Sequence, residues 1–356
     1  MKILLLYDYP PQPSGLSVLG EWVHKGLESL GHEVDPHSLF DPHGINTKLT
    51  QNKYDLSLGV GYWNDADREI QLPKSHNVKT AVYWVSEANV AKHQKLIPQT
   101  DLLLTTSEYS REIFAKFVPD VKDKIKVLYP GIDTEFYKPT PNITPTKTFT
   151  TFISSGKVKG VEESLTSIVN LKKKGVPPNF RYIIHSPFTE YKLERDFVRH
   201  LQELVRKYEI SNYVSFVSGV KFAKEKMPIL YQTLWFFLAP WRMACYGFPI
   251  LEAGACGVPS IAGDWKPMNE LIKNNETGIL VPRKTKEEMP KFMEGVWFTE
   301  EYSLIDTDIL ADKILELLND PGKRAKMGEA ARKLVLEKFE SKQQIKKLEE
   351  ELLKLL

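Results

Sequence analysis

Short apolar runs alternate with stretches of helical spacing along nearly the whole chain. This alternation restricts the fold more than any other feature. Lys2–Tyr7 is a continuous apolar run, the pattern of a strand buried on both faces of a parallel sheet. Pro10, Pro11, Pro13 and Gly15 mark a loop, and Leu19, Trp22, Val23, Gly26, Leu27 and Leu30 then recur at helical spacing. Tyr54–Val60, Thr80–Val85, Asp101–Thr105 and Ile125–Leu128 read as further strands, with a helix at Ser110–Phe117. Strands that alternate with helices predict a parallel sheet with right-handed crossovers.

The alternation stops once. Lys138–Lys147 carries three prolines in ten residues and no apolar periodicity, the composition of a semi-rigid linker. A second series follows. Strands are predicted at Thr148–Ser154, Arg181–His185, Val214–Val217, Leu234–Ala239, Ser260–Ala262 and Gly278–Val281. Helices are predicted at Val161–Lys174, Glu194–Tyr208, Pro228–Thr233 and Met268–Ile272, and the remainder reads as helical. The expected architecture is α/β, with two doubly wound domains at 1–140 and 148–341 facing a central cleft. A C-terminal helix at 342–356 is a candidate to pack back on the first domain. Ligands of such sheets bind at the carboxyl ends of the strands.

A length of 356 residues suits about two domains. The formal charge of +2 carries no signature of a nucleic-acid partner. Its distribution is uneven: residues 1–140 are net −3, residues 141–240 are net +7 and the rest is −2. The basic surplus falls where a phosphorylated ligand would sit in the second series. Cys245 and Cys256 are the only cysteines, and packing is the plainest reading of both. The opening apolar run is too short for a signal peptide and ends at Asp8. No run approaches the roughly 20 apolar residues of a membrane span. A soluble, cytoplasmic protein is expected. Lys116, Lys122, Lys124 and Lys126 are a candidate patch for peripheral contact with the inner face of the membrane, a solvated face being the plainer reading.

The most specific local pattern is Ala244-Cys-Tyr-Gly-Phe-Pro-Ile-Leu-Glu252-Ala-Gly-Ala-Cys-Gly-Val-Pro259. A strand leads into a tight turn, and a helix opens near Phe248-Pro249, where proline is well tolerated. Glu252 is expected in the first helical turn, on the positive end. Free N–H groups at such a turn bind anions, and a carboxylate beside them accepts hydrogen bonds from sugar hydroxyls. Tyr246, Gly247, Phe248, Pro249 and Glu252 are therefore candidates to hold a nucleotide diphosphate and its ribose. The plain alternative is chain punctuation with a solvated acid.

This run resembles the donor-site motif of retaining GT-B glycosyltransferases of family 4, the glycosyl transferases group 1. The family pattern has two glutamates eight positions apart, followed by Ala-x-Ala-Cys-Gly-x-Pro. Glu252 stands at the second glutamate, whereas Ala244 stands at the first. The resemblance continues in order along the chain: Pro10–Gly15 is similar to the first glycine-rich loop, Gly31-His-Glu-Val34 to the segment after the first helix, and Tyr129–Phe136 to the end of the first domain. Ser155-Gly-Lys-Val-Lys-Gly160 is similar to the start of the second domain, and Glu270 with Thr277–Val281 to a later stretch.

The resemblance implies a metal-independent transferase, without a cofactor, that takes a nucleotide-diphosphate sugar. Lys157 and Lys159 would face the charge developing on the diphosphate, and Gly15 would approach the donor. Asp65-Ala-Asp67 has metal-pair spacing but falls in a predicted loop. The family's first-domain histidine would fall in Tyr83–Glu87, which holds none; Ser86 or Glu87 is the nearest polar substitute, with Glu87 the candidate catalytic residue or else a cap of the next helix. His185, at a strand end, is a candidate for the donor base or phosphate, or equally a structural histidine. Trp241 and Arg242 are candidates for the sugar contact missing at Ala244. Ala244 and the absent histidine also motivate a second reading, a degenerate GT-B protein that binds nucleotide or glycan or serves as a partner subunit. Neither acceptor nor oligomeric state can be read.

Overall fold

The structure is a computed structural model that describes residues 1–12, 14–86, 90, 93–153, 156–288 and 301–356; at 62, 63, 156, 157, 287, 288 and 301 it describes the backbone only. The chain divides into two compact units. Unit 1 includes Met1–Gly131 and Phe339–Leu356, and unit 2 comprises Ile132–Met289 and Glu301–Lys338.

In unit 1 the order is β1 (Lys2–Tyr7), α1 (Gly15–Ser29), β2 (Glu33–Ser38), α2 (Pro42–Gln51), β3 (Leu56–Tyr62), α3 (Leu72–Ser75), β4 (Lys79–Val85), β5 (Leu102–Thr105), α4 (Glu108–Phe117) and β6 (Ile125–Val127). These strands form one parallel sheet in the order β2-β1-β3-β4-β5-β6. Ile3 to Tyr7 are all 0% exposed, which is why β1 reads as an unbroken apolar run. A π-helical turn at Asp67–Gln71 runs into α3.

Unit 2 repeats the plan. Its elements are β7 (Thr148–Phe152), α5 (Val161–Lys173), β8 (Arg181–Ser186), α6 (Lys192–Lys207), β9 (Val214–Ser218), α7 (Met227–Thr233), β10 (Phe236–Ala239), α8 (Phe248–Ala255), β11 (Ser260–Gly263), α9 (Met268–Leu271) and β12 (Gly278–Val281). The strand order is β12-β11-β10-β7-β8-β9, again parallel. The chain builds outward from β7 in one direction, then returns to the other side of β7 with β10. The topological switch of unit 2 therefore lies between β7 and β10, where crevices form in such sheets. A stacked aromatic row at Phe149, Phe236, Tyr182 and Phe180 fills one face of this sheet.

Three parts differ from the sequence expectation. Two segments expected to be helical, Arg283–Glu288 (β13) and Glu301–Ile305 (β14), pair instead as antiparallel strands. The proline-rich stretch after Lys138 is fastened to unit 2: Gln232 accepts from Thr140 N–H and donates to the Lys138 carbonyl. Its prolines set an extended path, but Gln232 binds the backbone along it. The third is α2, whose helical spacing is too sparse in apolar residues to stand out; Ile45 and Leu49 anchor it to the sheet. Two helices, α10 (Thr307–Asn319) and α11 (Pro321–Lys338), close unit 2. The last helix, α12 (Ser341–Leu353), belongs to unit 1. Ile345 packs against Gly26 of α1, Trp22 donates to Ser341 Oγ at 2.8 Å, and His32 pairs with Glu349 at 2.7 Å.

Candidate active site

The loops that leave β7 and β10 come together at the switch point of unit 2. The Arg242 N–H donates to the Val158 carbonyl at 2.9 Å. Gly160 sits at φ +63°, and a Cβ placed on it would lie 1.9 Å from the Pro240 carbonyl oxygen. Only glycine supplies both the left-handed conformation and that approach. The residue before it, Lys159, holds its ammonium 4.9 Å from the centre of the Trp241 ring. Lys157 lies in the same 3₁₀ turn, Gly156–Lys159, which enters α5.

Arg242 is engaged by two acids of α5. Its guanidinium, 11% exposed, pairs with Glu163 at 2.6 Å and Glu162 at 2.7 Å in the first turn of α5, and lies 5.3 Å from the Tyr302 ring. Burial disfavours its charge, but the two carboxylates outweigh that and push its pKa up. The guanidinium thus joins α5 to the β10 loop and is committed to protein groups. Trp241 is buried as well, edge-on to Phe237, with its indole N–H facing no protein acceptor.

The turn after β10 delivers the chain to α8. Gly247 caps that helix without a side chain, and Pro249 follows within the first helical positions. A Cβ at Gly247 would meet Leu271 Cδ1 at 2.7 Å, so this turn is also pressed onto α9. Tyr246 packs edge-on against Phe248. The opening N–H groups of α8 have no capping side chain and suit an anion.

The helix starts at Phe248 as expected, and Glu252 is its fifth residue, just past the first turn in which the sequence reading placed it. The macrodipole acts mainly over the first turn, so another influence must hold this carboxylate. Two tyrosines do so. Tyr231 of α7 donates to Glu252 Oε2 at 2.6 Å, and the hydroxyl of Tyr137 also bonds the carboxylate. Burial raises the Glu252 pKa, while both tyrosines and the Lys224 ammonium oppose the rise. The same acid and burial push the Cys256 thiol up to about 12. Cys245 and Cys256 form no disulfide with each other. A carboxylate offers about four acceptor positions, so two tyrosine donors leave capacity for hydroxyls of a ligand. Tyr137, Tyr231 and Lys224 carried no sequence signal: each meets Glu252 only through the fold.

The remaining candidates separate. His185 is buried and donates Nε2–H to the Val220 carbonyl at 2.7 Å. It packs on Phe152 and Phe222, and burial lowers its pKa. That environment fits a structural imidazole. Ala244 is buried and brings no acceptor. In unit 1, Gly15 opens α1 behind Ser14, whose Oγ accepts from Ser17 N–H, and a Cβ on Gly15 would meet nothing within 4 Å. Asp8 accepts from Ser17 Oγ at 2.5 Å at the same helix start. Glu87 lies outside the described residues. Asp65 pairs with Arg68 at 3.0 Å. Among the described residues no group of three or more His, Cys, Asp or Glu side chains gathers as a metal site, and no helix is long and apolar enough to cross a membrane.

The sequence profile of the glycosyl transferases group 1 matches residues 133–296. A GDP-mannose-dependent alpha-(1-6)-phosphatidylinositol monomannoside mannosyltransferase of Mycobacterium tuberculosis is 24% identical over 254 residues, 66% of this chain and 57% of that protein. A D-inositol 3-phosphate glycosyltransferase of Rhodococcus erythropolis is 25% identical over 286 residues, 76% of this chain and 62% of that protein. The chain therefore spans roughly three-fifths of the length of these curated relatives. Among solved structures, sucrose-phosphate synthase from Thermosynechococcus elongatus superposes with a TM-score of 0.82 at 16% identity, over 100% of this chain and 99% of that one. Anabaena HepE in complex with UDP and glucose superposes with a TM-score of 0.76 at 16% identity, over 99% of each chain. Over residues 133–296 the chain is thus similar to the glycosyl transferases group 1, and its two units have the α/β fold of the GT-B class.

Proposed function

We propose that this protein is a retaining glycosyltransferase that uses a nucleotide-diphosphate sugar. The observation that carries the reading is Glu252, held by Tyr231 and Tyr137 inside α8, whose uncapped start meets the Trp241 ring on which Lys159 of the β7 loop rests. In this reading Glu252 accepts the ribose hydroxyls. The opening turn of α8 at Gly247–Pro249 receives the diphosphate. Lys159, with Lys157 in the same turn, faces the negative charge that grows on the leaving nucleotide. These cations fill the part a divalent ion plays in other transferases, so no metal or cofactor is required.

The matched relatives bear GDP-mannose and inositol phosphate in their names, and HepE is seen with UDP and glucose. GDP- and UDP-hexoses are accordingly the first donors to test, with a polyhydroxylated acceptor. Titration calorimetry with UDP, GDP and ADP identifies the base. Hydrolysis of the matching sugar nucleotide, followed by NMR of the released anomer, reports turnover and stereochemistry. Binding without turnover on any donor would favour the second reading, a nucleotide-binding GT-B protein, which Ala244 motivates by removing the first carboxylate. Absence of binding to all three nucleotides would overturn both.

A further inference from the structure

We propose that Trp241 is a positioning residue that aims Lys159 at the donor phosphates, an inference that rests on the donor-site reading above. Three contacts fix the loop of Lys159 from the β10 side. The Val158 carbonyl accepts from Arg242 N–H, Gly160 lies against the Pro240 carbonyl, and the Lys159 ammonium lies 4.9 Å from the Trp241 ring centre. The first two hold backbone only. A lysine side chain has a flexible four-carbon stem, so backbone contacts leave the position of its charge undetermined. The indole face draws that charge toward it, because a ring quadrupole attracts an ammonium within about 6 Å of its centre.

Trp241 is itself immobilised. It is 3% exposed, edge-on to Phe237, and one of its ring carbons lies 3.4 Å from where a Cβ on Gly247 would be. The indole thus spans from the cationic loop to the cap of α8, the two features expected to meet one diphosphate. Arg242, the adjacent cation, is committed to Glu162 and Glu163 and cannot substitute. A side chain that lends its face to Lys159 and its edge to the α8 turn keeps both at a fixed separation.

The test is a double-mutant cycle of Trp241→Leu and Lys159→Met, with Trp241→Phe as the conservative control. Two readouts are taken: affinity for UDP or GDP, and the thermal midpoint without ligand. Trp241→Leu is expected to weaken diphosphate binding about threefold to thirtyfold, the range of a cation–π contact. Trp241→Phe should recover most of it. In the Lys159→Met background, Trp241→Leu should change affinity by less than about twofold, because the group through which it acts is gone. Equal losses in both backgrounds would overturn the proposal and make Trp241 a packing residue only. Additive thermal effects would overturn the Trp–Lys pairing whether or not nucleotide binds. Coupled thermal effects in a protein that binds no nucleotide would instead overturn the donor-site reading, and with it the phosphate role of the pair.

Discussion

Tyr231 donates a 2.6 Å hydrogen bond to Glu252 across two helices of unit 2 that are separated by strand β10. Burial pushes the Glu252 pKa up, and the tyrosine bonds work against that rise. The donor-site reading needs the ionised form as acceptor. Nucleotide affinity is therefore expected to fall as pH drops through a Glu252 pKa that lies above the ordinary carboxylate value. Tyr231→Phe removes a bond that favours the charge, so the loss should begin at a higher pH than in the wild type. Glu252→Gln or Glu252→Ala should weaken binding by about 1.5–3 kcal/mol, the scale of a charge-assisted hydrogen bond. Calorimetric titration between pH 5 and 8 reads all three. An unchanged affinity in Glu252→Ala would remove this residue from the site.

Glu69 offers a contrasting acid in unit 1. It is 0% exposed, accepts from Trp84 Nε1 at 2.9 Å through Oε2, and leaves Oε1 facing no protein donor. Its carboxyl lies so close to Gly59 that a Cβ there would fall 2.5 Å from Oε1. Burial raises its pKa well above the usual value. A group raised in the folded state gives stability that is complete below its unfolded pKa and is lost as pH rises through the folded one. Glu69→Gln keeps the acceptor for Trp84 without a charge, so it should flatten the loss of stability at rising pH. Glu69→Leu strands the indole N–H and should cost about 1–3 kcal/mol. Thermal melts across pH, followed by tryptophan emission, distinguish the two variants.

The fold was legible because buried parallel strands read as continuous apolar runs, as at Lys2–Tyr7 and Leu102–Thr105, and many short strands with helices between them leave little choice of class. The hairpin β13–β14 was not, because Arg283-Lys-Thr-Lys-Glu-Glu288 shows neither alternation nor apolar content. The motif at 244–259 singled out Glu252 as a candidate. It did not give its wiring: Tyr137 and Tyr231 lie 115 and 21 residues from Glu252, and only the fold brings them together. The same limit applied to Arg242. Its sequence position beside the motif suggested a sugar contact, whereas the fold sets two glutamates of α5 against it.

Gly160 tests how tightly the two switch-point loops are joined. Gly160→Ala adds the cost of the left-handed region, about 1–2 kcal/mol, to an overlap of 1.9 Å with the Pro240 carbonyl oxygen. That oxygen is backbone and cannot swing aside. A loss above about 2 kcal/mol is expected, read as a fall in thermal midpoint of roughly 4–8 °C or more for a unit of this size. A neutral result would mean that the loop rearranges freely.

Arg242 carries the last prediction. Its guanidinium is held between Glu163 and Glu162 at 2.6 and 2.7 Å, with only 11% of it exposed. Removing one partner of a buried pair leaves the other charge uncompensated, at a cost of about 3–5 kcal/mol. Arg242→Ala should therefore destabilise unit 2 far more than loss of a surface ion pair, worth about 0–1 kcal/mol. Arg242→Lys should be intermediate, since a single ammonium cannot fork across two carboxylates. If the penalty comes from stranded acids, adding Glu162→Gln and Glu163→Gln to Arg242→Ala should restore part of the stability. Chemical denaturation of the single and combined variants measures this, and a combined variant no more stable than Arg242→Ala would point to lost packing against Tyr302 as the cause.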